Sequence, residues 1–155
     1  MPDSRDELVV DTSVLLKFFV EESEDAEKAE ALFQGTKSNS ARLIAPDFTV
    51  VEFVNALWRK TRHRELSKLE AETKISELLE VLPLMETVPV TGMLTEIFET
   101  AHVHDHPVYD AAFLALAESR GVPYVTADEK FYSKIRLHTH VILLRNLELR
   151  NLEIE

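Results

Sequence analysis

Residues 106–128 constrain this chain more than any other stretch. HPVYDAAFLALAESRGVPYVTAD reads as a helix, a glycine stop, a short apolar strand and an acid where the strand ends. Pro107 suits the first helical turn, where its missing N–H would have no intrahelical partner. Gly121 suits the position just past the helix, where the backbone turns left-handed. Tyr124, Val125 and Thr126 are β-prone. The unit places two carboxylates, Asp110 in the first helical turn and Asp128 past the strand. A second strand ending in an acid, Leu8-Val9-Val10-Asp11, opens the chain.

The alternation of strand and helix continues in between. Residues 1–7 are polar and expected to be frayed. Asp11, Thr12 and Ser13 offer capping side chains for a helix over 14–19. Residues 22–33 form an amphipathic helix capped by Ser23, with Ala26, Ala29, Leu32 and Phe33 on one face, Gly35 as its stop and a loop over 36–40. A strand at 43–45 precedes a helix over 47–62 whose apolar stripe is Val50, Phe53, Val54 and Leu57. At about 100° per residue, Glu52 points away from that stripe, near the face of Asn55, Arg59 and His63. Ser67 and Glu70 make a capping box for a helix to residue 82, stopped by Pro83.

Beyond it, a strand over 86–90 carries Pro89, a sign of an edge or a strand end. Residues 91–102 are helical, with Leu94, Ile97, Phe98 and Ala101 inward. A short helix over 130–135 and a strand over 141–144 close the series. The pattern predicts an α/β sandwich around a mainly parallel sheet, one domain over 8–144 with a tail over 145–155.

At 155 residues the chain is long enough to bury roughly two-thirds of its unfolded surface. It has no run of about 18 apolar residues and no cationic start followed by an apolar core, so neither a membrane span nor a secretory signal is expected. With no cysteine there is no disulfide framework and no thiolate metal site, which fits a cytoplasmic location. The formal net charge of −11 argues against a surface that coats nucleic acid, which needs clustered Lys and Arg. It leaves room for an enzyme that handles nucleic acid at a metal-neutralised site.

In a sheet of this kind, ligands bind beyond the carboxyl ends of the strands where the strand order reverses. Asp11 and Asp128 both sit at strand ends, Asp110 can enter from a helix start, and Glu52 projects from another helix. Each acid alone has a plainer role: Asp11 and Asp128 as turn or cap residues, Asp110 as a helix-dipole partner, Glu52 as a solvated charge. Together they would repel unless hard cations bind among them. Mg²⁺ and Mn²⁺ prefer such oxygen ligands. Two of these ions, about 4 Å apart, can activate a water and stabilise the leaving oxygen of a phosphodiester.

The ordered segments VVDTSVLLK (9–17), VEFVNAL (51–57), HPVYDA (106–111) and VTAD (125–128) resemble those of the PIN domain. Within that family they resemble the toxin ribonucleases of VapBC-type toxin–antitoxin pairs. The resemblance implies a PIN-like α/β/α sandwich with a five-stranded sheet and an endoribonuclease activity dependent on Mg²⁺ or Mn²⁺, leaving a 5′-phosphate and a 3′-hydroxyl. Asp11, Glu52, Asp110 and Asp128 occupy the family's acidic positions as catalytic and metal-binding residues, Asp11 and Asp110 read as direct ligands and Glu52 and Asp128 as ligands of a second ion or acting through water, roles the sequence does not separate. Thr12, Ser13 and Thr126 match its hydroxyl positions, and Asn55 a polar position near the site. Implied partners are RNA, a second copy of the chain, and an antitoxin that inserts a segment over the site to give a heterotetramer or larger assembly.

Arg59, Lys60, Arg62, Arg64 and Lys68 form the one concentrated basic segment. Arg59 and Arg62 are the RNA-binding candidates read from it, with Lys130, Lys134 and Arg136 a second set; the plainer role of the first set is a soluble helix end. His102, His104 and His106 alternate as metal ligands can, but the first two straddle the expected helix end with nothing to fix their directions. LRNLE at 144–148 recurs at 149–153 and matches no repeat architecture. The alternative function is a catalytically weak PIN-like interaction module acting through dimerisation and antitoxin binding. Retention of all four acids argues against it. A haloacid-type phosphatase would want an acid where Ser13 stands, and a receiver domain a late strand-end Lys that the chain lacks.

Overall fold

The strand that opens the chain lies in the middle of the sheet. The computed structural model describes residues 5–20, 23–138 and 140–148. Strands β1 (Asp6–Val10), β2 (Ala41–Pro46), β3 (Glu86–Val88), β4 (Tyr124–Thr126) and β5 (Val141–Leu143) run all parallel in the order β3-β2-β1-β4-β5. Alternate side chains of β1 enter opposite cores, as a two-residue period requires. Leu8 and Val10 join the core that holds Phe33 and Phe53, whereas Val9 joins the one that holds Leu116 and Ile135.

The first core is covered by α1 (Thr12–Phe19), α2 (Glu24–Lys37), α3 (Thr49–Arg62) and α4 (Lys68–Val81). The second is covered by α6 (Val108–Arg120) and α7 (Glu129–Ile135), with α5 (Leu94–His104) packed on α6. The chain moves outward from β1 through β2 to β3, then returns to the other flank of β1 for β4 and β5. That reversal splays the connections beyond the ends of β1 and β4 and opens a crevice there.

Local signals set several boundaries. Gly121 ends α6 in the left-handed conformation, with φ 65°, and Ser67 with Glu70 forms the full capping box of α4. Pro107 caps α6 one position ahead of its first turn. Pro89 follows β3, which is an edge strand.

Other expectations are corrected. β1 begins at Asp6, so the polar residues ahead of the apolar run extend the strand. Gly35 does not stop α2. It is buried inside the helix, which runs on to Lys37 and ends where the Ser38 and Ser40 hydroxyls donate to the Gly35 carbonyl. The helix expected from residue 47 starts at Thr49, because Asp47 and Phe48 make the turn out of β2. Leu94 and Phe98 of α5 are 59% and 67% exposed rather than inward, since the face that α5 turns to α6 is that of Ile97, against Ala112 and Ala115. Leu147, assigned to the tail, is buried in the first core, and Lys28 Nζ donates to its carbonyl at 2.7 Å. The second LRNLE copy lies outside the described residues.

Replacing Gly121 by Ala leaves the new methyl group in open space but forces a Cβ into φ 65°, which costs about 1–2 kcal/mol. Gly92→Ala meets open space without that backbone conformation and stays within about 0.5 kcal/mol of wild type. Urea unfolding midpoints distinguish the two.

Candidate active site

Asp11 follows β1 and caps α1: its Oδ1 accepts from the Ser13 N–H at 3.0 Å and from the Ser13 hydroxyl. Ser13 Oγ in turn accepts from Ala127 N–H at 2.8 Å and lies 3.3 Å from Thr126 Oγ1. With the Ser13 proton committed to Asp11, Thr126 is the donor of that pair. Thr126 Oγ1 also accepts from Asp128 N–H at 3.1 Å, and Asp128 caps α7 by accepting from Phe131 N–H at 2.9 Å. One chain of hydrogen bonds therefore ties the end of β1 to the end of β4, with an acid at each terminus. The cap role and the site role coincide in both aspartates.

The other two acids come from the two helical layers. Glu52 reaches across from α3, where Thr12 Oγ1 donates to its Oε1 at 3.2 Å. Asp110 enters from the first turn of α6. Asp11, Glu52, Asp110 and Asp128 line a single open cavity of about 360 Å³, with Thr12 and Ser13 in its wall. Lys130 and Lys134 of α7 line it too, as do the rings of Phe113, Tyr124 and Phe131.

This is an electrostatically loaded cup. Burial pushes the Asp11 carboxyl above its ordinary value, against the pull of the Ser13, Thr126 and Tyr124 hydroxyls. Burial raises Glu52 as well; the Thr12 bond opposes it and the charges of Asp11 and Asp110 add to it. Asp110 is raised by burial and by Asp128, against the nearby His106 and Lys134. The donor set is all oxygen, the preference of a hard divalent cation, whose charge would reverse each of these shifts. Among the described residues no three Asp, Glu or His side chains close around one point, so the acids ring the cavity rather than forming a finished cage.

Not every residue singled out from the sequence arrives here. Asn55 is exposed and outside the cavity lining. Arg59 and Arg62 are exposed and also outside it, with the Arg62 guanidinium 5.5 Å over the Trp58 ring. His104 is fixed by His138, ring centroids 4.0 Å apart, and His106 Nε2 lies 3.4 Å from His138 Nε2. Tyr124 is a polar site residue that sequence reasoning missed, as it missed the rings of Phe113 and Phe131. The signal available for Tyr124 was its place two residues before Thr126, hence on the same face of β4.

The profile of the PIN domain matches residues 8–137. The chain belongs to the PIN domain family. Ribonuclease VapC3 of Pyrobaculum aerophilum is 33% identical over 129 residues, covering 82% of this chain and 93% of that one. Among solved structures, PAE2754 from Pyrobaculum aerophilum superposes with a TM-score of 0.65 at 23% identity, over 91% of this PIN domain chain and 92% of the other. A toxin–antitoxin complex from Klebsiella pneumoniae gives 0.58 at 10% identity, over 90% and 99%. These two likenesses are of fold.

The raised acids set a pH dependence in metal-free buffer. A carboxyl whose folded value lies above its unfolded one stabilises the fold fully below the unfolded value, and that contribution is lost as pH rises through the folded value. Glu52, with an ordinary value of 4.5, is such a group. Glu52→Gln keeps the Thr12 bond and removes the charge, so in EDTA it melts higher than wild type at neutral pH. The gap closes as pH falls below about 4.5. Thermal melts of both proteins across that range check it.

Proposed function

We propose that this PIN domain is an endoribonuclease that hydrolyses RNA phosphodiesters with Mg²⁺ or Mn²⁺ in the acidic cavity, as the toxin of a VapBC-type pair. The observation that carries this reading is the meeting of Asp11, Glu52, Asp110 and Asp128 on one cavity at the reversal of strand order. The resemblance to a VapC ribonuclease over most of the chain supports it.

Asp11 and Asp110 would hold the cation directly, and Glu52 and Asp128 would hold a second ion or act through water. When bound, a divalent cation supplies the charge that admits a phosphate among carboxylates and lowers the pKa of the attacking water. The chain's own residues do the rest. Ser13 keeps Asp11 in place, with Thr126 behind it, and Thr12 steadies Glu52. Lys130 and Lys134, on the cavity wall, receive phosphate oxygens beside the scissile bond. Arg59 and Arg62, exposed on α3 and outside the lining, would meet the RNA backbone farther from the scissile bond. The products carry a 5′-phosphate and a 3′-hydroxyl.

The same charge that repels bare RNA attracts an arginine. An antitoxin segment that places a guanidinium among the acids would make charge-assisted hydrogen bonds and displace both metal and RNA. The Klebsiella pneumoniae neighbour, a toxin–antitoxin complex, fits that partner class. The functional unit is then a homodimer acting in the cytoplasm, held as a heterotetramer or larger assembly by its antitoxin.

Asp11→Asn lowers kcat/KM on labelled RNA in Mn²⁺ by about 10²–10³-fold, the scale of losing one pre-aligned charge-stabilising group. Equal cleavage by both proteins, or none with any divalent ion, removes the enzymatic reading; antitoxin binding without cleavage would leave the interaction module. Lys130→Glu with Lys134→Glu weakens RNA binding and flattens its logarithmic salt dependence by about two units, one per lysine. Arg59→Glu with Arg62→Glu changes the slope less, as read by fluorescence anisotropy.

A further inference from the structure

Tyr124 is buried on β4, opposite Val9 of β1. Its hydroxyl donates to Asp11 Oδ2 at 2.8 Å. Its ring stacks on Phe113 of α6, with centroids 5.8 Å apart and planes 19° from parallel, and meets Phe131 of α7 edge-on at 6.2 Å. The ring alone would satisfy the packing. A buried hydroxyl without a partner costs free energy, so the bond to Asp11 gives this side chain a direction that packing does not require.

An ionised carboxylate offers about four acceptor positions, two on each oxygen. On Asp11, Oδ1 takes two donors, the Ser13 N–H and hydroxyl. Oδ2 takes one, from Tyr124. Thr126 Oγ1 lies 3.3 Å from Ser13 Oγ, beside the same carboxylate. Oδ1 is therefore the more heavily bonded oxygen, and Oδ2 is the one left to meet an ion. The carboxylate is also pinned at both oxygens, so it cannot swing to present its two oxygens to one ion.

We propose that Tyr124 is a positioning residue that restricts Asp11 to single-oxygen coordination and thereby biases the cavity toward Mg²⁺ over Ca²⁺. The inference rests on reading the cavity as a divalent-cation site. Mg²⁺ demands near-ideal octahedral geometry at about 2.0–2.1 Å, whereas Ca²⁺ accepts more oxygens at about 2.3–2.6 Å and takes carboxylates through one oxygen or both. A ligand with one fixed lone pair suits the first ion and denies the second its looser options.

The test is calorimetric titration of Mg²⁺ and Ca²⁺ into the full chain as wild type, Tyr124→Phe, Tyr124→Leu and Asp11→Asn, with melting curves to confirm folding. Phenylalanine keeps the ring on Phe113 and loses only the hydroxyl. Mg²⁺ affinity falls about 10- to 100-fold in Tyr124→Phe, the usual cost of removing a hydrogen-bond partner from a metal ligand. Ca²⁺ affinity falls by clearly less, so the preference for Mg²⁺ narrows, and Tyr124→Leu narrows it as well. An unchanged Mg²⁺ affinity, or an equal loss for both ions, overturns the positioning role while leaving the metal site intact. A wild type that binds neither ion, or binds them no better than Asp11→Asn does, overturns the metal reading and this inference with it.

Discussion

A carboxylate buried at the end of the central strand is the constraint on which this molecule turns. Removing the Asp11 charge from water is costly, and it is tolerable because the surroundings are organised around it. Two donors come from the start of α1, and a phenol comes from the neighbouring strand. The phenol is available only when β1 and β4 lie side by side. The pairing of those strands and the ionisation of Asp11 therefore depend on each other.

The hydrogen bonds do not neutralise the site. Glu52 and Asp110 add their own charge to the same cup, and all three acids sit above their ordinary values. A protein selected for stability alone would place an amide or an apolar group at one of these positions. Functional sites commonly retain such unfavourable arrangements because the missing component is supplied on binding. Here the missing component is positive charge. A hard cation and an arginine from a partner are two ways of providing it.

What could be read from the sequence was mostly local. Caps and stops depend on a few neighbouring residues, and Asp11, Ser67, Gly121 and Pro89 do what their types and positions suggest. The direction of Glu52 followed from helical geometry, because α3 is regular and its stripe of Phe53 and Leu57 is buried. The exposure of Leu94 and Phe98 did not follow. An apolar stripe says that a helix is amphipathic, not how wide a surface it will meet. Gly35 misled because its conformational freedom went unused inside a packed helix. The basic segment around Arg59 stood out through density along the chain, whereas Lys130 and Lys134 matter through position in space. Tyr124 belongs to the same class, since periodicity gives its face but not the atom its hydroxyl will meet.

The four acids are carried by the end of β1, by α3, by the start of α6 and by the end of β4, and so are drawn from residue 11 to residue 128. During synthesis the first of them would emerge long before the strand that completes its surroundings. No fragment ending before β4 can assemble the cup. Whatever chemistry it performs is withheld from nascent and half-folded chains, and the topology itself acts as a delay.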